Sequence, residues 1–160
     1  MSPLKVLCVI PARYASTRLP GKPLRDIAGK PMIVRVYERA KQAKKVQEVI
    51  VATDDERIRA AVEACGGHAV MTRCDHATGT DRLAEVAQKM TEYDLIINVQ
   101  GDEPLIEPAV IDALTEPFLI EADLSMATVK TKITDAADME NPNNVKVVTD
   151  RAGNALYFSR

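Results

Sequence analysis

Residues 6–24 read Val6-Leu-Cys-Val-Ile10-Pro-Ala-Arg-Tyr-Ala-Ser-Thr-Arg-Leu-Pro-Gly-Lys-Pro-Leu24 and join an apolar run to a long basic loop (residues 11–24). The apolar run predicts a buried first strand over residues 4–10. Three cations, Arg13, Arg18 and Lys22, are spaced along the basic loop, and small residues between them let a ligand approach the backbone. A strand that leads into such a loop is typical of a site that holds an anion, most simply a chain of phosphates. The plainer alternative is a solvated loop that happens to be basic.

Beyond the basic loop, the spacing of apolar residues alternates between the period of a helix and that of a strand. Further strands are predicted at 49–52, 68–71, 95–99 and 124–129. The second helix is expected to bury Cys65 with its other apolar residues, and Pro117 is expected to kink or end the last helix early. The predicted helix starts are Pro31, Asp54 or Asp55, Thr80 or Asp81, and Pro108.

These repeated β-α-β units predict an α/β fold, with a mostly parallel, twisted, Rossmann-like sheet that carries helices on both faces. Near the C-terminus, residues 145–149 and 155–158 flank the turn Asp150-Arg-Ala-Gly153 and predict a β-hairpin. Because no repeat, linker or low-complexity segment interrupts the pattern, residues 1–160 are predicted to form a single domain. Ligands of such sheets bind at the carboxyl ends of the strands, the edge at which the basic loop lies.

The overall charge is close to balance, because 21 Lys and Arg against 23 Asp and Glu give a formal net charge of −2. This balance gives no reason to expect a nucleic-acid partner. No apolar run approaches the roughly 20 residues that a membrane span needs, and the first strand follows the N-terminus too closely for a signal peptide. The cysteines Cys8, Cys65 and Cys74 lie far apart, which fits a reducing compartment. We therefore expect a cytoplasmic protein without membrane insertion.

A second cluster, Gln100-Gly-Asp-Glu-Pro104, directly follows the strand predicted at 95–99 and is called the acidic loop (residues 100–104). A carboxylate at this edge of the sheet, beside a phosphate-binding loop, is placed to hold Mg²⁺. Asp102 is the better candidate because it leaves the strand first, whereas Glu103 either assists or only shapes the turn. Gly101 lets the backbone approach a ligand. The alternative is an ordinary connection between a strand and a helix.

A third cluster, Thr72-Arg-Cys-Asp-His-Ala-Thr-Gly-Thr-Asp-Arg82, leads into the third predicted helix and is called the third loop (residues 72–82). A histidine in such a loop is either a general base or, more often, a structural residue. Asp75 and Asp81 can fix the loop and cap the helix. The residues able to hydrogen-bond a base and a ribose are Arg73, His76, Thr78, Thr80 and Arg82.

One chemical scheme unites the three clusters: cations and a metal ion gather a triphosphate, and the third loop reads the base. Phosphoryl and nucleotidyl transfer need positioning and charge neutralisation at the reacting phosphorus more than covalent chemistry. We predict Arg13, Lys22 and Asp102 as the catalytic residues. Ser16 can donate a hydrogen bond to a phosphate, and Arg18 either contacts phosphate or pairs with a surface acid. The absence of the Gly-x-Gly-x-x-Gly and P-loop patterns weighs against a nicotinamide dehydrogenase and a standard NTPase.

Along its whole length the chain resembles the 3-deoxy-manno-octulosonate cytidylyltransferases, also called CMP-Kdo synthetases. The matching motifs are residues 10–24, Ile50-Val-Ala-Thr-Asp54, Met71-Thr-Arg73 with Asp75-His76 and Gly79-Thr80, Asn98-Val-Gln-Gly-Asp-Glu-Pro104, Asn141-Pro-Asn143, Val145-Lys-Val-Val148 and Ala155-Leu-Tyr-Phe-Ser-Arg160. The resemblance implies the nucleotide-diphospho-sugar transferase fold. It also implies a reaction in which CTP and 3-deoxy-D-manno-octulosonate (Kdo) give CMP-Kdo and diphosphate, with Mg²⁺, for lipopolysaccharide biosynthesis. The run from Tyr14 to Arg18 favours this branch over the related sialic-acid-activating enzymes.

The resemblance also assigns roles to individual residues. Thr78 stands where the family commonly has serine and keeps the hydroxyl. Arg18 and His76 are further candidates for contact with the substrates. By position, Arg13, Ser16 and Lys22 would contact the triphosphate, Arg73, Thr78 and Gly79 would lie at the nucleotide near cytosine, Gln100 would face nucleotide and sugar, and Asp102 would bind Mg²⁺.

Family members continue well past the position of Arg160, with further residues at the sugar, the metal and the dimer surface. The resemblance therefore implies that this chain corresponds to the N-terminal two-thirds of a homodimeric enzyme, its nucleotide-binding part. Two alternatives stay open: a fragment that binds CTP without catalysis, and a cytidylyltransferase for a related acid sugar.

Overall fold

A computed structural model of the protein describes residues 4–15 and 19–160. The chain divides into two compact units, Met1–Ala127 and Thr128–Arg160. That residues 1–160 act as a single domain stays a prediction.

The first unit is an α/β structure built on a parallel sheet. Its elements in chain order are β1 (Val6–Ala12), a 3-10 turn (Lys22–Leu24), β2 (Asp26–Ile27), β3 (Lys30–Pro31), α1 (Met32–Ala40), β4 (Glu48–Thr53), α2 (Glu56–Ala64), β5 (His68–Met71), α3 (Gly79–Lys89), β6 (Leu95–Asn98), α4 (Pro108–Ala113) and α5 (Glu116–Ile120). Four strands form the sheet in the order β5-β4-β1-β6, all parallel, and β2 pairs with β3 in a small antiparallel ribbon. Because β1 is a central strand, its carboxyl end has the ends of β4 and β6 as neighbours.

Side chains alternate along β1 and place it between two apolar layers. Val6, Cys8 and Ile10 face the layer that α1, α2 and α4 complete, whereas Leu7 and Val9 face α3. All five side chains are at most 1% exposed. Burial of one valine or leucine side chain contributes about 1.5–3 kcal/mol to folding before entropy is counted. The structure thus confirms the predicted α/β fold, with a mostly parallel sheet and helices on both faces.

Strand β1 starts and ends two residues later than predicted, at Val6 and Ala12. Pro11 lies inside the strand although it has no N–H to donate. The Val9 carbonyl points to β6, because it accepts a hydrogen bond from the Val99 N–H at 3.1 Å. Pro11 lies two residues further along β1, so its nitrogen points to the same side as the Val9 carbonyl. The register with β6 ends before it, at the pair of Val9 and Asn98. The pairing with β6 therefore ends at the proline, and β1 continues through it on its other side, where it pairs with β4.

Helix α3 begins at Gly79, one residue before the earlier of its two predicted starts. A reciprocal cap explains the difference. Thr78 Oγ1 accepts from the Asp81 N–H at 3.1 Å, and Asp81 Oδ2 accepts from the Thr78 N–H at 2.8 Å. Asp81 is therefore the third helical residue and not the first, and the predicted capping role is divided between it and Thr78.

Helix α2 is capped by Asp55, the second of its two predicted candidates, whose Oδ1 accepts from the Arg57 N–H at 2.9 Å. The expectation that Cys65 is buried is wrong, because its side chain is exposed. The helix ends at Ala64, and Gly66, with a φ of +75°, reverses the chain there. The reversal turns the side chain of Cys65 away from the core.

Two predictions about the end of the first unit have opposite outcomes. Pro117 ends the helix early, as predicted, because α4 stops at Ala113 and a separate helix, α5, follows. The strand predicted at 124–129 is wrong, because this segment is irregular. Two of its apolar side chains lie largely in solvent, because Met126 is 82% exposed and Val129 is 53% exposed.

The second unit contains α6 (Ala136–Glu140), β7 (Lys146–Thr149) and β8 (Ala155–Ser159). The two strands pair antiparallel, from Lys146 with Ser159 to Thr149 with Ala155, which confirms the predicted hairpin. The Asp150 carboxylate closes the turn by accepting from the Asn154 N–H at 2.8 Å. Within the described ranges, none of the helices combines the length and the apolar character needed to cross a membrane.

Candidate active site

The three loops singled out from the sequence meet at Pro11, at the carboxyl end of β1. In the acidic loop, a Cβ on Gly101 would lie only 2.7 Å from the Pro11 carbonyl oxygen. In the third loop, a Cβ on Gly79 would lie 3.4 Å from Pro11 Cγ, an ordinary contact. Segments far apart in the chain therefore lie side by side at one edge of the sheet, as expected for loops that follow parallel strands.

Gly101→Ala is expected to destabilise the protein by about 1–3 kcal/mol, the usual cost of forcing extra atoms into a packed place. The neighbouring atom is a backbone oxygen, so the acidic loop or β1 itself must shift. Gly79→Ala is the matched control, since its Cβ meets the same proline at an allowed distance and alanine suits a helix. Urea denaturation of both variants measures the difference. A Gly101→Ala protein as stable as its parent would show that the acidic loop does not pack against Pro11.

The basic loop is closed at its base by Tyr14 and Gly21. The Gly21 N–H donates to the Tyr14 carbonyl at 2.9 Å, and Gly21 has a φ of +67°, the left-handed conformation that favours glycine. The guanidinium of Arg57, from α2, lies over the Tyr14 ring at 3.4 Å from its centroid. Arg13 and Lys22 are the sequence neighbours of this closure, so the loop base places their backbones side by side.

Two of the predicted phosphate contacts, Ser16 and Arg18, lie outside the described residues, and their roles stay predictions. Arg13 lies within electrostatic reach of the start of α3. Hydrogen bonds from Thr78 hold the pKa of Asp81 below its ordinary value, and the positive charge of Arg13 is among the smaller causes of the same shift. Arg13, in the basic loop, therefore lies near enough to the third loop for its charge to act there.

Lys22 and Asp102 form an ion pair that joins the basic loop to the acidic loop. Lys22 Nζ lies 2.6 Å from Asp102 Oδ2, and the two side chains are 40% and 50% exposed. An exposed pair of this kind contributes only about 0–1 kcal/mol to stability. Both groups can therefore exchange this partner for a ligand at little cost. The structure brings two of the three predicted catalytic residues into direct contact.

The surroundings of Asp102 fit one particular way of binding Mg²⁺. Among residues 4–15 and 19–160, no three His, Cys, Asp or Glu side chains group so that they alone could hold a metal ion. Mg²⁺ at nucleotide sites is commonly held by one or two carboxylates, with water and substrate phosphates as the remaining ligands. The half-exposed carboxylate of Asp102, next to the cationic Lys22, suits this mode. That Asp102 binds Mg²⁺ stays a prediction.

The rest of the acidic loop forms a tight turn. The Glu103 N–H donates to the Gln100 carbonyl at 3.2 Å, and the side chain of Glu103 is exposed. The Gln100 amide donates to Asn98 Oδ1 at 3.3 Å, across the end of β6. The backbone of Glu103 therefore shapes the turn, and the exposed Gln100 side chain stays at the sheet edge where a ligand would lie.

The third loop is tied to α3, the helix that follows it. His76 Nε2 lies 2.6 Å from Glu85 Oε2, and the His76 side chain is 8% exposed. The Arg73 N–H donates to the same oxygen at 3.0 Å, while the Arg73 guanidinium pairs with Asp75 at the surface. The imidazole thus has a protein partner, and its predicted contact with substrate stays a prediction. An open depression of about 360 Å³ lies at this loop, lined among others by Arg73, His76, Asp81, Glu85 and Gln88.

Arg82, on α3, is a fully buried charged side chain. Its guanidinium donates to Asp54 Oδ2 at 2.8 Å and to Thr72 Oγ1, while its Nε has no partner in the described part of the chain. Arg82 therefore links the end of β4, the start of the third loop and α3. The expectation that Arg82 can hydrogen-bond a base is wrong, because no part of its side chain reaches the surface.

Sequence analysis missed Asp54 and Glu85 as parts of this site. Weak signals for both contacts are present in the sequence. Arg82 is a charge directly beside Leu83, which lies on the apolar face of α3, and Glu85 precedes Lys89 by four residues, the spacing of a helical ion pair. Neither signal shows that these side chains turn to other segments, because that depends on how the third loop folds back on the helix.

Comparison with known proteins gives the family of this chain. The family model described as cytidylyltransferase matches residues 7–160. A 3-deoxy-manno-octulosonate cytidylyltransferase of Geobacter metallireducens is 59% identical over 157 residues, which are 98% of this chain and 61% of that protein. The protein of the same name from Fusobacterium nucleatum is 56% identical over 98% of this chain and 64% of its own length. The chain thus spans a little under two thirds of the length of these curated relatives.

Among solved structures, a CMP:2-keto-3-deoxy-manno-octonic acid synthetase complexed with CTP is 52% identical, with a TM-score of 0.90 over 97% of this chain and 64% of that chain. A 4-diphosphocytidyl-2C-methyl-D-erythritol synthase from Anaerococcus prevotii is only 12% identical, with a TM-score of 0.63 over 96% of this chain. The second likeness concerns the fold alone, and it agrees with the α/β fold expected from the sequence.

Proposed function

Since the chain belongs to the cytidylyltransferase family, we propose that it forms the nucleotide-binding part of an enzyme that makes CMP-Kdo and diphosphate from CTP and Kdo. The observation that carries the proposal is the ion pair of Lys22 and Asp102, which joins two loops at the carboxyl edge of the sheet. The names of the relatives support the choice of CTP and Kdo. We further propose a cytoplasmic enzyme, homodimeric in its full length, that supplies lipopolysaccharide biosynthesis.

In the proposed reaction, the anomeric hydroxyl of Kdo attacks the α-phosphorus of CTP. A new P–O bond forms, the bond between the α-phosphorus and its bridging oxygen breaks, the hydroxyl proton is released, and diphosphate leaves. Arg13 and Lys22 hold the triphosphate and neutralise the charge that develops on the leaving group. Asp102 would hold Mg²⁺ against the phosphates, and the bound ion would supply further charge neutralisation there. Arg73, Thr78 and Gly79 would hold the cytidine, and Gln100 would face both nucleotide and sugar.

One experiment distinguishes the proposed function from two alternatives. The protein is mixed with CTP, Kdo and Mg²⁺, and diphosphate release is followed beside CTP binding, with UTP and a reaction without sugar as controls. Diphosphate release that requires both CTP and Kdo supports the proposal. CTP binding without release supports a nucleotide-binding fragment, and release with another acid sugar in place of Kdo supports a related cytidylyltransferase. A protein that binds no CTP overturns all three.

A further inference from the structure

Glu85 is an acidic side chain of α3 that turns back toward the loop preceding its own helix. Its Oε2 accepts from the Arg73 N–H at 3.0 Å and lies 2.6 Å from His76 Nε2. Its Oε1 accepts from Lys89 Nζ at 2.6 Å. The Glu85 side chain is only 16% exposed. One carboxylate oxygen therefore fastens two points of the third loop, and the other oxygen is occupied by a lysine of the helix.

The charge state of Glu85 decides how these contacts are made. The Lys89 ammonium, then the Arg73 N–H and then His76 lower the pKa of Glu85 from 4.5 to about 2. The carboxylate is therefore ionised at neutral pH and can only accept hydrogen bonds. It follows that His76 Nε2 carries the ring hydrogen and donates a hydrogen bond to Glu85. The Arg73 N–H and the His76 ring thus donate to the same charged oxygen, a strong form of hydrogen bond.

The fastened segment is the part of the chain that the proposed function assigns to the base. Residues 73–78 lie between the Glu85 contacts at one end and the reciprocal cap of Thr78 and Asp81 at the other. A polar loop of this length has many conformations in the absence of such contacts, and ordering it on binding would cost affinity. A loop held in place beforehand avoids that cost.

We propose that Glu85 is a positioning residue that holds residues 73–78 in the conformation that distinguishes cytosine from other bases. The inference rests on the proposed function, in which Arg73 and Thr78 lie at the nucleotide. Glu85 does not touch the nucleotide in this scheme; it acts through the Arg73 backbone and the His76 ring. In the proposed function the phosphates are held elsewhere, by Arg13 and Lys22, so loss of Glu85 affects base selection and leaves phosphate binding unchanged.

The test compares three ligands by calorimetric titration of the chain: CTP, UTP and inorganic tripolyphosphate. Glu85→Ala is expected to weaken CTP binding about tenfold, the effect of losing hydrogen bonds to a charged group. UTP binding is expected to change much less, so that the ratio of CTP to UTP affinity falls toward one. Tripolyphosphate binding is expected to stay as in the parent.

Two further variants separate positioning from a general structural defect. Glu85→Gln keeps an oxygen that can accept from the Arg73 N–H and from His76, so it is expected to restore most of the preference for CTP. Lys89→Ala removes only the partner on the far side of the carboxylate, from a residue whose side chain is 52% exposed. It is the matched control and is expected to keep the preference for CTP.

Two results would overturn the inference. One is a Glu85→Ala protein with an unchanged ratio of CTP to UTP affinity. The other is an equal loss for all three ligands, which would show that Glu85 only supports the fold. Failure of the proposed function gives a different result, because the parent protein itself would then bind CTP no better than UTP or tripolyphosphate.

Discussion

Replacement of Asp102 by asparagine is expected to abolish the gain in CTP affinity that Mg²⁺ brings, while metal-free CTP binding is kept or slightly strengthened. The amide keeps the size of the side chain but offers no charged oxygen to a divalent cation. It also releases Lys22 from an ion pair of 2.6 Å, so that this ammonium faces the triphosphate without a competing negative charge. Titration of the chain with CTP, with and without Mg²⁺, measures both effects.

In the full-length enzyme, Asp102→Asn is expected to abolish turnover with CTP and Kdo, a loss of about a hundredfold or more, as is usual when a group that stabilises transition-state charge is removed. Glu103→Gln is the matched control, because it removes the same negative charge from the next residue, whose side chain is exposed. We expect it to keep both the Mg²⁺ effect and turnover. An Asp102→Asn protein whose CTP affinity still rises with Mg²⁺ would show that another group holds the metal.

Replacement of Asp54, the ion-pair partner of the buried Arg82, is expected to lower the free energy of unfolding more than any other substitution named above. Asp54→Ala takes the carboxylate partner away from a guanidinium that has no exposed surface and whose Nε has no partner among the described residues. Breaking a buried ion pair by removing one partner typically costs about 3–5 kcal/mol. We expect about 3 kcal/mol in the free energy of unfolding, measured by urea denaturation, because Thr72 still accepts one hydrogen bond from Arg82.

The opposite replacement, Arg82→Met, is expected to lower the free energy of unfolding by less, about 1 kcal/mol. Asp54 is 18% exposed and can turn to water once its partner is gone, and Thr72 still donates its hydroxyl to the Thr53 carbonyl. Asp55→Ala is the matched control, since it removes a carboxylate one residue away whose role is to cap α2, and it should cost about 1 kcal/mol. If Asp54→Ala costs no more than Asp55→Ala, the buried pair does not hold the site together.

The parts of the fold that could be predicted from the sequence are those with local causes. Strand β5 is predicted to the residue and the C-terminal hairpin to within one residue, because glycine and turn residues mark the ends of these apolar runs locally. The segment 124–129 failed because an apolar alternation becomes a strand only where a neighbour pairs with it. The prediction that Cys65 is buried failed for a related reason. The helical spacing of apolar residues includes Cys65, but helix α2 ends at Ala64 and Gly66 reverses the chain.

The same division holds for the candidate site. The loops that carry Arg13, Lys22 and Asp102 could be predicted, because each directly follows an apolar strand and such ends share an edge of the sheet. The side chains that support the loops could not. Glu85 and Arg82 lie at ordinary positions of a helix, and only the path of the third loop turns one toward His76 and the other toward Asp54.

The place of β1 in the middle of the sheet has a consequence during protein synthesis. Its first residues are made first, yet Lys5 donates its N–H to Asp94, 89 positions later, and Val6 to Val9 pair with Leu95 to Asn98. At the usual rate of translation, the ribosome needs about 5–20 s to make that stretch. For this time the side of β1 that faces β6 has no partner strand, so the central strand reaches its final pairing only after residue 98 has been made.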